Sequence, residues 1–141
     1  MHNRSTLTVD EQISFRHLTH YLAPYDKYLV VPESLQVTLP GCNLKRFGEE
    51  YFGSAIANTR LLLSEHFYRA FSEYEYILIY HLDALVFSDQ LTTWCDTGLD
   101  YIGPPWIPCV DSPWVKEPRV GNGGLSLREI QSFLKVFHSD E

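Results

Sequence analysis

The sequence is short of the features that announce a simple class of protein. Its three cysteines, Cys42, Cys95 and Cys109, form no CxxC pair. Short-range spacing therefore encodes neither a zinc ribbon nor a redox dithiol. An odd number of scattered thiols suits a reducing, cytoplasm-like compartment, and a cytoplasmic location is expected. No apolar run approaches the ~18 residues of a membrane helix, and no apolar signal core opens the chain, so no membrane span is expected. Positive charge is scarce: 11 Lys and Arg face 18 Asp and Glu, a formal charge of −7. That balance argues against nucleic acid as a partner, because a phosphate backbone needs a basic face. It leaves open a nucleotide bound through a metal ion. Glycine-rich phosphate loops are missing too, with no GxGxxG and no Gly-Lys-Ser/Thr. Neither a repeat nor a low-complexity tract interrupts the chain.

What is present fits one domain over residues 1–141. About 45% of the residues are hydrophobic and 14% aromatic, enough for a packed core. Thr8-Val9-Asp10-Glu11 reads as a capping box, followed by Phe15, Leu18 and Leu22 at helical spacing and ended by Pro24. Tyr28 to Val31 reads as a strand closed by Pro32. Leu35 to Glu50 reads as irregular, with a Pro40-Gly41 turn. One helix is predicted from about Ser54 to Phe71. A short helix capped by Ser88 or Asp89 carries Leu91, Trp94 and Cys95 and stops at Gly98. Tyr101 to Gly103 is a strand candidate, and the proline-rich stretch from Pro104 to Pro118 must be a loop. After the Gly121 to Gly124 turn, Ser126-Leu127-Arg128-Glu129 reads as a second capping box, so a strand there is short or absent. A helix with Ile130, Phe133, Leu134 and Phe137 follows. Alternating helices and strands predict an α/β protein with a mostly parallel sheet.

The most informative segment is Tyr76 to Phe87, YILIYHLDALVF. An unbroken apolar run marks a strand covered on both faces. It ends at His81 and Asp83, where open α/β sheets place their ligands. A buried carboxylate needs a cation, a hydroxyl or water. Asp83 is thus either a ligand of a hard divalent ion or a strand-end cap. His81, two residues earlier on the same face, is either a ligand-contacting imidazole or a hydrogen-bonded core histidine. His17 and His20 read as a solvated helix face. Asn122, Gly123 and Gly124 form either a turn that needs positive φ or a backbone that something approaches closely. A haloacid-dehalogenase-type phosphatase would need a second Asp at position 85, which is Leu85.

These residues carry a resemblance. YILIYHLDALVFSDQL resembles the metal-binding segment of nucleotide-sugar glycosyltransferases of the GT-A fold, with His81-Leu82-Asp83 in place of the Asp-x-Asp motif and Asp89 and Leu91 in its tail. The chain is also similar to an uncharacterised glycosyltransferase-like domain family found mainly in bacteria, through YLVVPESL, LLLSEHFYRAF, YEYILIYHLDALVF, YIGPPW and VGNGGLSLR. The resemblance spans about Tyr28 to Arg128. It implies a GT-A-like (Rossmann-like) three-layer sandwich and transfer of a sugar from a nucleoside diphosphate sugar to a glycan or other hydroxyl acceptor. It also implies Mn²⁺ or Mg²⁺ held by Asp83, a ribose or phosphate contact from His81, and a sugar and acceptor pocket shaped by Trp106, Asn122, Gly123 and Gly124. Two departures stand out. His81 replaces the first motif acid. The ends also differ: neither a nucleobase-holding first strand nor a positioned catalytic acid is visible, although Asp140 and Glu141 follow the last helix. The catalytic residue is therefore unassigned, with Asp111, Glu117 and Asp140 as the acids to consider. The expectation is a family member missing both margins, with little transfer activity by itself. The rival expectation is a truncated or non-catalytic module that binds a nucleotide sugar or a partner.

Overall fold

The computed structural model describes residues 6–110 and 112–139, and Asp111, Asp140 and Glu141 lie outside them. The protein is mixed α/β. Helix α1, Val9–Tyr21, starts at Thr8 with the expected capping box, in which Thr8 and Glu11 bond each other's backbone. Strand β1, Tyr28–Pro32, follows. The predicted irregular stretch instead contains strand β2, Asn43–Phe47, which pairs in parallel with β1. Local sequence disguises β2 because Lys45 and Arg46 sit side by side in it. Tertiary contacts absorb both charges. Lys45 Nζ donates to the Ala70 carbonyl and lies over the Tyr28 and Phe71 rings, at 5.4 and 5.1 Å. Arg46 donates to the carbonyls of Glu33 and Leu35 at 2.9 and 2.8 Å.

The single helix predicted from Ser54 to Phe71 is two, α2 (Ala55–Leu62) and α3 (Glu65–Arg69). Ser64 breaks it. Its hydroxyl donates to the Leu61 carbonyl at 2.8 Å and accepts from the Phe67 amide at 3.3 Å, a local alternative to the helical ladder. Strand β3, Tyr76–Tyr80, coincides with the apolar run. Helix α4 (Leu91–Cys95) and the two-residue strand β4 (Tyr101–Ile102) come next.

Strand β5, Leu125–Glu129, leads directly into helix α5, Ile130–Val136. Here the expectation of a capping box needs correcting. Ser126 lies inside the strand, and Glu129 caps the helix with its own carboxylate, which accepts from the amides of Gln131 and Ser132.

The mostly parallel sheet also needs correcting. The described strands form a two-stranded parallel sheet, β1-β2, and a three-stranded antiparallel sheet, β3-β5-β4. The cause is β5: it lies between β3 and β4 and runs against both, so every bond in that sheet is antiparallel. The two sheets share one core. Phe47 of β2, Leu61, Phe67, Tyr68 and Phe71 of the α2–α3 region, and Ile130 of α5 pack together. Ile77 and Ile79 pack against this cluster from β3. Tyr80, on the opposite face, meets Ser14 of α1. Strand alternation therefore puts α1 on one face of β3 and the α2–α3–α5 cluster on the other. Among the described residues no helix is long and apolar enough to cross a membrane, and no disulfide forms among them.

Candidate functional site

The carboxyl end of β3 opens into a cavity of about 650 Å³. The loop after the strand is pinned to α1. The Ala84 carbonyl accepts from both Ser14 Oγ at 2.6 Å and Tyr80 OH at 2.8 Å. His17 Nδ1 lies 3.0 Å from the Val86 carbonyl oxygen, and its ring meets Phe87 edge-on at 5.4 Å. His17 is therefore a tether of this loop rather than part of a solvated face, whereas His20 is exposed. These contacts fix the turn that presents Asp83. Farther on, Asp89 accepts from the Leu91 amide at 3.3 Å and from Tyr25 OH at 2.9 Å, which orients α4.

His81 and Asp83 both line the cavity, but in different states. Asp83 is exposed. His81 is half-buried, and its Nε2 is buried with no hydrogen-bond partner. Burial pushes the imidazole below its ordinary value, with Asp83 pulling weakly the other way. The ring is therefore neutral near pH 7. A second orphan atom, Asn58 Oδ1 of α2, belongs to another residue lining the same cavity. Sequence reading missed Asn58, because an Asn on a helix carries no signal until the fold turns it inward. Buried polar atoms without partners cost about 1–3 kcal/mol each, so two in one cavity point to something polar that completes it.

The glycine turn meets this site from β5. The His81 amide donates to the Gly124 carbonyl at 2.7 Å. Asn122 Oδ1 accepts from the Gly124 amide at 3.1 Å, and the Asn122 carbonyl accepts from Tyr101 OH at 2.9 Å. The positive φ in this turn belongs to Gly121, not to Gly123 or Gly124. Those two are glycines for space. A Cβ on Gly124 would stand 3.1 Å from His81 Nδ1, and one on Gly123 would stand 3.1 Å from Arg128 Nη2. The close approach is made by the chain's own imidazole and guanidinium. Trp106 pairs its backbone with Arg119 across the proline-rich loop and is 37% exposed. Neither Trp106 nor the glycine turn lines the cavity; His81 and Asp83 do, and the turn reaches the site only through its contact with His81.

Arg128 was also missed. It is 5% exposed, and among the described residues no carboxylate lies within ion-pair distance. Its guanidinium donates to Tyr68 OH at 2.7 Å, the Leu62 carbonyl at 3.3 Å and Ser126 Oγ at 3.0 Å. It lies 5.7 and 5.4 Å from the Tyr101 and Phe133 ring centres.

Among the described residues the cavity lining is acidic. Asp10, Glu11, Asp26 and Asp83 line it with one lysine, Lys27, whose ammonium donates to the carbonyls of Leu22 and Tyr25 at 2.8 Å each. An anionic ligand would therefore need a cation to accompany it. Among the described residues no group of three or more His, Cys, Asp or Glu is arranged to hold a metal ion. Asp83 and the free nitrogen of His81 supply at most two donors. That set suits Mg²⁺ or Mn²⁺ only where phosphate and water complete the shell.

The state of His81 has a consequence for stability. An unfolded His titrates near pH ~6.5, and the folded value is lower. Below about pH 6.5 the unfolded chain therefore binds the proton more readily, and the fold loses stability as pH falls toward the folded value. Urea unfolding at pH 7.5 and 5.5 should show this loss. A His81→Gln variant should show less of it, and an equal loss in both proteins would remove His81 as the cause.

A sequence-family comparison matches residues 41–141 to a family described as "Protein of unknown function (DUF5672)", and the chain belongs to that family. No curated protein and no solved structure matches it.

Proposed function

We propose, for this member of a family without an assigned activity, that the carboxyl end of β3 binds a nucleoside diphosphate sugar with a divalent cation, and that the protein transfers the sugar to an acceptor hydroxyl. One observation carries the reading. A strand-end Asp83, accessible and two residues from a neutral imidazole with a free nitrogen, opens into a cavity large enough for a ligand and too acidic for a bare anion. The same reading takes the parallel β1-β2 pair and the β3 site as parts of a GT-A-like arrangement.

Asp83 would hold Mn²⁺ or Mg²⁺ through a carboxylate oxygen. The bound ion would stabilise, as a Lewis acid, the negative charge gathering on the departing diphosphate. His81 Nε2 would contact the ribose or a phosphate oxygen. Asn58 Oδ1 would accept from a donor on the ligand. The Asn122-Gly123-Gly124 turn would border the sugar, with its position set by the His81 amide bond to Gly124. Trp106 would serve as an exposed stacking face for an acceptor sugar.

Titration with a panel of nucleotide sugars, with and without Mn²⁺, tests the reading. Saturable binding that requires the metal is expected, and the absence of any metal-dependent binding would end it. His81→Asp should preserve or strengthen Mn²⁺ binding, since a hard cation prefers carboxylate. Complete loss would make the imidazole itself a required ligand.

A second reading is a non-catalytic nucleotide-sugar- or partner-binding module. The sparse donor set favours it, because no cluster of three metal-binding side chains forms among the described residues. Metal-dependent binding without turnover of any donor in the panel would select it.

A further inference from the structure

Among the described residues, strands β1 and β3 each keep one unpaired edge, and both edges face the same space. Among them β1 pairs only with β2, and β3 only with β5. Flanking hydrogen bonds show which backbone groups are used. The Lys27 carbonyl accepts from the Asn43 amide at 2.8 Å, and the Glu33 amide donates to the Phe47 carbonyl at 3.0 Å. Odd-numbered residues of β1 therefore bond β2, and Tyr28 and Val30 point their N–H and C=O groups away from it. On β3, the bonds between Ile130 and Glu75 at 2.9 Å and between His81 and Gly124 at 2.7 Å set the same alternation. Tyr76, Leu78 and Tyr80 point away from β5. All five outward residues line the 650 Å³ cavity. Among the described residues no backbone hydrogen bond from another element ends on them.

The two edges also run the same way. Tyr74 OH, two residues before β3, donates to Asp26 at 2.6 Å and lies 2.9 Å from Tyr28 OH at the start of β1. The space between the edges is roofed on both sides. Phe15 and Leu18 of α1 and Leu22 just after it line one wall, and Leu62, Phe67 and Phe71 line the other. Buried backbone N–H and C=O groups are almost always paired. A gap with a hydrogen-bonding edge on each side and apolar walls above and below has the shape and chemistry of one missing strand.

We infer that this gap takes a single extended polypeptide strand from outside the described residues, running parallel to β1 and β3. It would join the two sheets in the order β2-β1-guest-β3-β5-β4. Its side chains would alternate between the two apolar walls, so every central position is apolar. Its flanks would be basic, because Asp26 lines one end of the cavity and Asp10 and Asp83 line the other. A second copy of the chain is a poor donor. Each of the five strands is already paired within its own chain, and lending one would open an equal gap elsewhere. The inference is drawn from backbone geometry and not from the sugar-transfer reading, with which it shares the cavity: a strand in the gap would confine a small ligand to the end at His81 and Asp83.

The test is amide hydrogen exchange on the whole chain, with and without a capped peptide of five alternating valines and isoleucines between two lysines. The amides of Val30 and Leu78 should gain protection of roughly 10-fold or more near saturation. Those of Leu29 and Ile77, already in the ladders, should change less. A peptide N-methylated at alternate residues should give no gain, and a glutamate-flanked one should bind more weakly. Three results would overturn the inference. In the first, no peptide protects Val30 and Leu78 up to millimolar concentration. In the second, those amides already exchange slowly in the peptide-free chain. In the third, protection rises with protein concentration alone while sedimentation shows dimers, which would make a second copy the occupant.

Discussion

Replacing Asp83 by alanine should remove Mn²⁺-dependent binding of nucleotide sugars while the protein stays folded. The carboxylate is exposed and sits on a turn held by other groups, namely Ser14, Tyr80 and His17. Its loss therefore costs the fold little. Its loss to the metal should be large, because among the described residues no group of three or more metal-binding side chains stands there to replace it. Even outer-shell partners of a metal cost about 10–100-fold in affinity, so removing the one carboxylate ligand should weaken the metal-dependent part by at least roughly 100-fold. Calorimetric titration in Mn²⁺ and in EDTA checks this, with circular dichroism to confirm folding. A variant that binds as tightly as the parent would move the metal, and the proposed site, elsewhere.

Arg128→Ala should destabilise the protein by about 3–5 kcal/mol, the range for emptying a large buried side chain and breaking charge-assisted hydrogen bonds. The side chain fills the space between the Tyr101 and Phe133 rings and bonds three groups from three elements. Tyr68 OH keeps its own bond to the Leu62 carbonyl at 3.0 Å, so the loss falls mainly on packing and on the guanidinium's bonds. A buried cation without a carboxylate also carries a desolvation cost, and an apolar residue of similar length avoids it. Arg128→Met should therefore be clearly less damaging than Arg128→Ala. Urea denaturation at pH 7 separates the two. Equal losses would mean that the hydrogen bonds, not the volume, dominate.

Much of the candidate site was legible in the sequence because its signal is local. The apolar run Tyr76–Tyr80 forms the strand, and the polar break at His81 and Asp83 falls where the strand ends. Asn122 to Gly124 forms the turn beside it. What stayed hidden depends on partners distant in sequence. Asn58 reads as an ordinary helix residue and Arg128 as part of a capping box until α2 and β5 bring them inward. Trp106 seemed suited to the pocket by its chemistry, yet its backbone bridge to Arg119 holds it outside the cavity lining.

By itself the sequence determined the elements whose instructions lie within a few residues. Thr8 and Glu11 start α1, Ser54 caps α2, Pro32 closes β1, and Gly98, at φ +67°, follows α4. Only the tertiary structure decided the pairing. β2 is a strand because β1 offers an edge and because Tyr28, Phe71 and the Ala70 carbonyl accommodate Lys45. Leu125–Glu129 is a strand because β3 and β4 satisfy its backbone from both sides, which outweighs a capping-box pattern worth about 1 kcal/mol. Strand register and direction are set by hydrogen bonds between residues far apart in the chain, and no local pattern encodes them. For the same reason the edges of Tyr28, Val30, Tyr76, Leu78 and Tyr80, which no other described element pairs, could be recognised only once β1 and β3 stood on either side of one cavity.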